Sequence, residues 1–182
     1  MKTSKKERCI IIPAIKKAAI IPDQLVKKIA GVTLIQRAIN TAKNLLSDED
    51  IYIITDSEEI SLICSRNNVR SYYDKRLLIN NENIFRDFHS FFDSMAKKYE
   101  TFIIYFGLTP LIRHDDIEQA YQLFITNSAD ILVTLKIENH RLWKESRMNI
   151  DSIETVKFDD EKPILIEVNA FKIIRANAIN GQ

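Results

Sequence analysis

Short, unbroken apolar runs alternate along this chain with longer stretches whose apolar residues recur every three or four positions. Cys9-Ile-Ile-Ile12 is the first run, closed by Pro13. A run without polar alternation predicts a strand buried on both faces. The spans 51–54, 101–106 and 130–135 read the same way, and 69–73 is a shorter strand. Leu34, Ile35, Ala38, Ile39, Ala42 and Leu45 predict one buried helix face over 33–46. Ile84, Phe88, Phe91, Phe92 and Met95 predict another over 84–98, and a further helix falls at 115–126. Asp56 or Ser57 caps the helix that opens with Glu58 and Glu59, whose charges suit a helix N-terminus, and Asn67-Asn68 ends it. The span 14–30 is a long connection, 136–161 is polar and irregular, and 163–174 closes the chain with an apolar-rich strand.

Strands alternating with helices at this spacing imply right-handed crossovers and a mainly parallel sheet with helices on both faces. The expected fold is therefore a three-layer, Rossmann-like α/β domain. The strands at 9–12, 51–54, 101–106 and 130–135 should be parallel neighbours. Such sheets bind ligands beyond the carboxyl ends of their strands, which selects the loops after Ile12, Ile54 and Phe106. Repeats and Pro/Gly/Ser linkers are absent, so residues 1–182 are expected to form a single domain.

Composition narrows the function. Hydrophobic residues make up 46% and charged residues 28%, enough for a core in a soluble chain. A formal net charge of +1 supplies no global field to attract nucleic acid or an acidic membrane. The local basic cluster Lys2, Lys5, Lys6 and Arg8 reads as the frayed start of the first strand. Cys9 and Cys64 lie in apolar surroundings, as free thiols of a reducing compartment do. The apolar run at 10–12 stops at Pro13, short of a signal peptide, and nothing approaches the roughly 20 apolar residues that cross a bilayer. A cytoplasmic protein is expected. His89, His114 and His140 are scattered and form no metal set, and no nucleophile–base arrangement is visible. Glycine occurs only at Gly31, Gly107 and Gly181, which leaves little material for a phosphate cradle of close-approaching backbone.

Three segments in order, opening at Ile11-Ile-Pro-Ala14, Ile53-Ile-Thr-Asp-Ser-Glu-Glu-Ile60 and Leu108-Thr-Pro-Leu-Ile-Arg113, together resemble the CMP-sugar synthetases (acylneuraminate cytidylyltransferases and CMP-KDO synthetases). Ile11-Ile-Pro-Ala14, Ile21-Pro22, Ile29-Ala-Gly31 and Leu34-Ile35 look like that family's opening. Ile53-Ile-Thr-Asp-Ser-Glu-Glu-Ile60 is similar to its second strand and helix cap. Leu108-Thr-Pro-Leu-Ile-Arg-His-Asp-Asp-Ile-Glu-Gln-Ala120 is similar to its later loop and helix, and Ala129-Asp130 matches the start of the next strand. The resemblance spans residues 8–135, with a faint continuation in Glu167-Val-Asn-Ala-Phe171. It implies a nucleotide-diphospho-sugar transferase fold. It also implies magnesium-dependent transfer of CMP from CTP to an acidic sugar for surface-glycan synthesis, and a homodimer pairing through the later region. Trp143, Phe158 and Phe171 are the candidates for burial there.

The resemblance carries over nucleotide-binding roles to Pro13, Ala14, Lys16, Lys17, Thr55 and Asp56, and sugar-binding roles to Thr109 and Arg113. The departures fall on the chemistry. Ile15 stands where the family has arginine, Lys16 and Lys17 where it has glycines, and Ala18 and Ala19 where it has serine and lysine. Gln24 and Leu25 replace lysine and asparagine, and Phe106 replaces the glutamine that reads cytosine. Losing one preorganised charge stabiliser costs about 10²–10³ in rate, so several losses imply weak or lost catalysis.

Alternatives stay open at several positions. Lys16 and Lys17 are substitute phosphate-binding cations or solvated loop lysines. Asp56 is a ligand or a helix cap, and Arg113 a sugar contact or a surface arginine. Arg70, Lys75 and Arg76 are a cationic rim or a solvated strand edge. The whole is a cytidylyltransferase-like protein with magnesium as cofactor if active, or a non-catalytic nucleotide-binding or oligomerisation domain. A glycosyltransferase is disfavoured, because Asp115-Asp116 and Asp159-Asp160 are not its Asp-x-Asp metal motif.

Overall fold

The computed structural model describes residues 4–16, 21, 23–75, 88–138, 143–145, 153–155 and 164–181. In chain order the strands are β1 (Lys6–Ala14), β2 (Lys28–Ile29), β3 (Val32–Thr33), β4 (Ile51–Thr55), β5 (Arg70–Tyr73), β6 (Tyr99–Tyr105), β7 (Ile131–Glu138), β8 (Trp143–Glu145), β9 (Ile153–Thr155) and β10 (Ile164–Arg175). The helices are α1 (Leu34–Lys43), α2 (Glu58–Arg66), α3 (His89–Ala96) and α4 (His114–Thr126). The central sheet has six strands in the order β5-β4-β1-β6-β10-β7, and β1 pairs in parallel with both β4 and β6. Among the described residues no helix is long and apolar enough to cross a membrane.

Strand parity builds the layers. Along β1, Ile10, Ile12 and Ala14 enter a core with Ile35, Ala38 and Ile39 of α1, Ile60 and Cys64 of α2, and Ile117, Tyr121 and Phe124 of α4. Cys9 and Ile11 enter the opposite core, made with Phe91, Phe92 and Met95 of α3 and Phe102 and Ile104 of β6. Residues 9–12 are wholly buried, which is why the run shows no polar alternation. Helix starts follow from hydroxyl caps: Thr33 accepts the Gln36 N–H at 3.2 Å and Ser57 the Ile60 N–H at 3.4 Å. Helix α2 ends where Asn68 turns left-handed at φ 57°.

The structure corrects several expectations. The strand at 130–135 is not β6's neighbour, because β10 lies between them and pairs antiparallel with β6. Sequence periodicity reports burial, not which strand inserts beside which. The span 136–161 is not wholly irregular: β7 continues to Glu138, and β8 and β9 pair as an antiparallel hairpin. Strands of three residues are too short to show a period. The connection 14–30 likewise holds a 3-10 turn at Gln24–Val26 and the start of the β2–β3 hairpin, whose turn residues Ala30 and Gly31 both have positive φ. Of the helix expected at 84–98, His89–Ala96 is seen and Ile84 lies outside the described residues. Phe171 is buried inside its own chain's core, opposite Tyr105, so it is unavailable to a partner. The Trp143 side chain and Phe158 lie outside what is described.

The chain divides into two compact units, 1–132 with 169–182, and 133–168. The first holds the site and both cores. The second contains the β8–β9 hairpin.

A polar chain closes the amino edge of the sheet. Arg70 donates to the Tyr52 hydroxyl at 2.9 Å, Tyr52 and Tyr99 hydroxyls lie 3.1 Å apart, and Tyr99 donates to Asp50 at 2.6 Å. Lys6 reaches Asp50 and Glu49, each at 2.6 Å. Arg70 is thus committed to this edge and does not rim the carboxyl end of the sheet; Arg76 lies outside the described residues. Burial, then the bonds to Asp50 and Tyr52, push the Tyr99 hydroxyl far above its ordinary value. Burial raises the Asp50 carboxyl, but hydrogen bonds from Lys6 and Tyr99 outweigh it and leave a net downward shift.

Replacing Tyr99 by Phe removes one buried and one partly buried hydrogen bond and should cost about 1–2 kcal/mol in urea unfolding at neutral pH. A raised hydroxyl contributes stability that is present below the ordinary tyrosine value of about 10 and is lost as pH rises beyond it. The variant should therefore lose less stability than wild type above that pH. Identical urea midpoints and alkaline profiles would mean that the network contributes nothing.

Candidate functional site

The carboxyl ends of β1 and β4 lie side by side, with Ala14 paired to Thr55 and Pro13 to Ile54. Ala14 and Thr55 are fully buried, and the Thr55 hydroxyl accepts the Ser57 N–H at 3.1 Å. Asp56 is buried as well. It is not the helix cap, since Ser57 takes that role. Its carboxylate instead accepts the Lys16 backbone N–H at 2.7 Å, which ties the loop after β1 to the end of β4.

The Lys16 ammonium lies 3.0 Å from Asp23 and 3.0 Å from Glu59. Hydrogen bonds to Asp23, then to Glu59, raise its pKa and keep it charged. The expected roles of Lys16, substitute phosphate-binding cation or solvated loop lysine, did not include this pairing with two carboxylates. Lys17 lies outside the described residues. Beside this group the Tyr73 hydroxyl donates to Glu58 at 3.2 Å. Burial raises the Tyr73 pKa first, followed by Glu58, with Asp56 and Asp74 adding to it. The described residues around Lys16 are thus rich in carboxylates, and a triphosphate approaching them meets like charge.

Gly107 turns the chain at the end of β6 with φ 61°, and a Cβ there would lie 3.2 Å from the Ala38 Cβ. The preceding Phe106 donates its N–H to the Ala170 carbonyl at 3.1 Å and packs against the core on the α3 side. Thr109 keeps its hydroxyl oxygen buried without a hydrogen-bond partner among the described residues. Arg113 is the residue before α4, with its side chain 71% exposed and its guanidinium 3.5 Å from Asp116. The Arg113 N–H also donates to Asp116 at 2.8 Å and holds that carboxyl below the ordinary aspartate range. Arg113 therefore serves the start of its own helix. The structure brings Ala14, Lys16, Thr55 and Asp56 together, while the Arg113 side chain lies against Asp116 of its own helix.

The departures from the resembled pattern have physical explanations. Ile15 continues the β1 parity past the strand end, is 8% exposed, and packs in the core on the α3 side. Leu25 is 4% exposed and belongs to the α1-side core. Both positions have been taken into the hydrophobic interior. Ala18 and Ala19 lie outside the described residues. Asp23 and Glu59 were missed as site residues. Glu59 was visible only as a first-turn acid, and Asp23 sits in a left-handed conformation at φ 55° that no sequence pattern announces.

No model of a known protein family matches this chain, and no curated protein matches it significantly in sequence. Solved structures do match in fold, and the class they define is the Rossmann-like nucleotidyltransferase fold. A CMP:2-keto-3-deoxy-manno-octonic acid synthetase solved with CTP aligns with a TM-score of 0.67 at 16% identity, over 97% of this chain and 77% of its own. The 4-diphosphocytidyl-2C-methyl-D-erythritol synthase of Anaerococcus prevotii gives a TM-score of 0.69 at 11% identity, over 97% and 73%. A cytidylyltransferase of Leptospira borgpetersenii gives 0.62 at 13% identity; this chain spans 63% of its length.

Gly107→Ala should lower stability by about 1–3 kcal/mol, because it combines a left-handed backbone with a close Cβ contact. Gly31→Ala, at φ 81° with nothing within 4 Å of the added Cβ, should cost less. Urea midpoints of the two variants compare them; a smaller loss at Gly107 would remove its packing role.

Proposed function

We propose that this chain is a cytidylyltransferase-like nucleotide-binding protein in which transfer of CMP from CTP is weak or lost. The observation that carries the reading is the pairing of a nucleotidyltransferase fold with a β1 end whose Ile15 is core and whose Lys16 is already neutralised. The reaction implied by the resemblance is attack of an acidic sugar's anomeric hydroxyl on the α-phosphorus of CTP, with pyrophosphate leaving. It needs cations along the triphosphate and in-line geometry. Here the Asp56 carboxylate fixes the loop backbone through Lys16 and supplies no positive charge.

No three His, Cys, Asp or Glu side chains gather as a metal site among the described residues. Magnesium enters this reading as the counter-ion of bound triphosphate. The free, buried thiols of Cys9 and Cys64 support a reducing, cytoplasmic location.

A second reading is an oligomerisation domain, favoured by Leu135, Ile137 and Leu165, which are 49%, 59% and 56% exposed. It predicts a homodimer. Light scattering at micromolar concentration that gives a monomer mass would contradict it.

Calorimetry across CTP, UTP, GTP and ATP, with and without magnesium, tests nucleotide binding. Weak binding that prefers CTP is expected, and no binding of any nucleotide would favour the oligomerisation reading. Pyrophosphate release with CTP, magnesium and a panel of acidic sugars should stay at background. Robust turnover would contradict the degenerate site.

A further inference from the structure

Lys16 is fixed at both ends. Its N–H is held by Asp56 at 2.7 Å, and its ammonium by Asp23 and Glu59, each at 3.0 Å. The two carboxylates come from different elements. Asp23 stands before the 3-10 turn at Gln24–Val26, and Glu59 lies in the first turn of α2. Asp23 meets Lys16 from a left-handed backbone that non-glycine residues seldom adopt. The lysine side chain is 32% exposed, against 57% for Asp23 and 55% for Glu59. Two oxygen anions therefore flank the ammonium as phosphate oxygens would.

We infer that Asp23 and Glu59 are a built-in phosphate mimic: they occupy Lys16, and the ammonium binds a polyphosphate only by leaving them. This inference rests on the nucleotide-binding reading above and adds to it a form of self-inhibition. Exposed ion pairs are individually weak. The contact therefore lowers the affinity for polyanions without abolishing it, and it admits a ligand with several negative charges ahead of a singly charged one. Fixing the backbone through Asp56 leaves the side chain as the part that moves.

The test uses the full chain at low ionic strength, titrated calorimetrically with CTP and, separately, with inorganic tripolyphosphate. The proteins are wild type, Asp23→Asn/Glu59→Gln, and the same double variant carrying Lys16→Met. Cooperative thermal unfolding checks that each is folded. The double variant should bind both ligands about three- to tenfold more tightly than wild type, and Lys16→Met should remove the gain. A gain that survives Lys16→Met reflects general loss of negative charge and overturns the inference. So does equal, measurable binding by wild type and double variant, which leaves the nucleotide reading standing. A Lys16-dependent gain for tripolyphosphate with no CTP binding supports the mimic and removes the cytidine reading. No binding of either ligand by any variant overturns both.

Discussion

The structure depends on β1 being buried on both faces. Residues 9–12 have no exposed surface, and their side chains alternate between two cores. That alternation orients α1, α2 and α4 on one side and α3 on the other, and the parallel pairing of β1 with β4 and β6 brings the strand ends together. The same constraint reaches one residue past the strand. Position 15 has the parity of Cys9 and Ile11, so its side chain enters the α3-side core, where an apolar residue is stabilising and a charged one is not.

This explains why the polar edge of the site is built differently from what its sequence resemblance implies. With Ile15 committed to the core, the described cation at the end of β1 is Lys16, and that cation is matched by Asp23 and Glu59. Asp56 is likewise engaged, holding the Lys16 backbone. Among the described residues, the site consists of the paired ends of β1 and β4, with Lys16 and Asp56 engaged by neighbours in the same chain. A fold carried by packing can persist when ligand-directed charges change, because the two draw on different residues.

Legibility in the sequence follows the same division. The buried strands at β1, β4 and β6 and the helices α1, α2 and α4 were visible because burial writes a period into the chain. The boundaries expected from that period agree with the structure to within a few residues: Thr33 caps α1 and Asn68 ends α2. Insertion of β10 beside β6 was not visible, since sheet order depends on long-range pairing that leaves no local pattern. The short β2–β3 and β8–β9 hairpins were missed for lack of length. At the site, the core membership of Ile15 becomes visible only once the parity of β1 is known. The ion pairs of Lys16 join residues far apart in sequence, and the assignment of the cap to Ser57 rather than Asp56 turns on one backbone conformation.

Position 15 belongs to the hydrophobic core on the α3 side. Ile15→Arg, which writes the resembled arginine back into the chain, tests it most directly through urea unfolding and pyrophosphate release measured on the same protein. A loss of about 2 kcal/mol or more is expected, from forfeited packing and a cation placed in an apolar layer, together with no gain in turnover of CTP. An Ile15→Arg protein as stable as wild type and newly able to release pyrophosphate would contradict it.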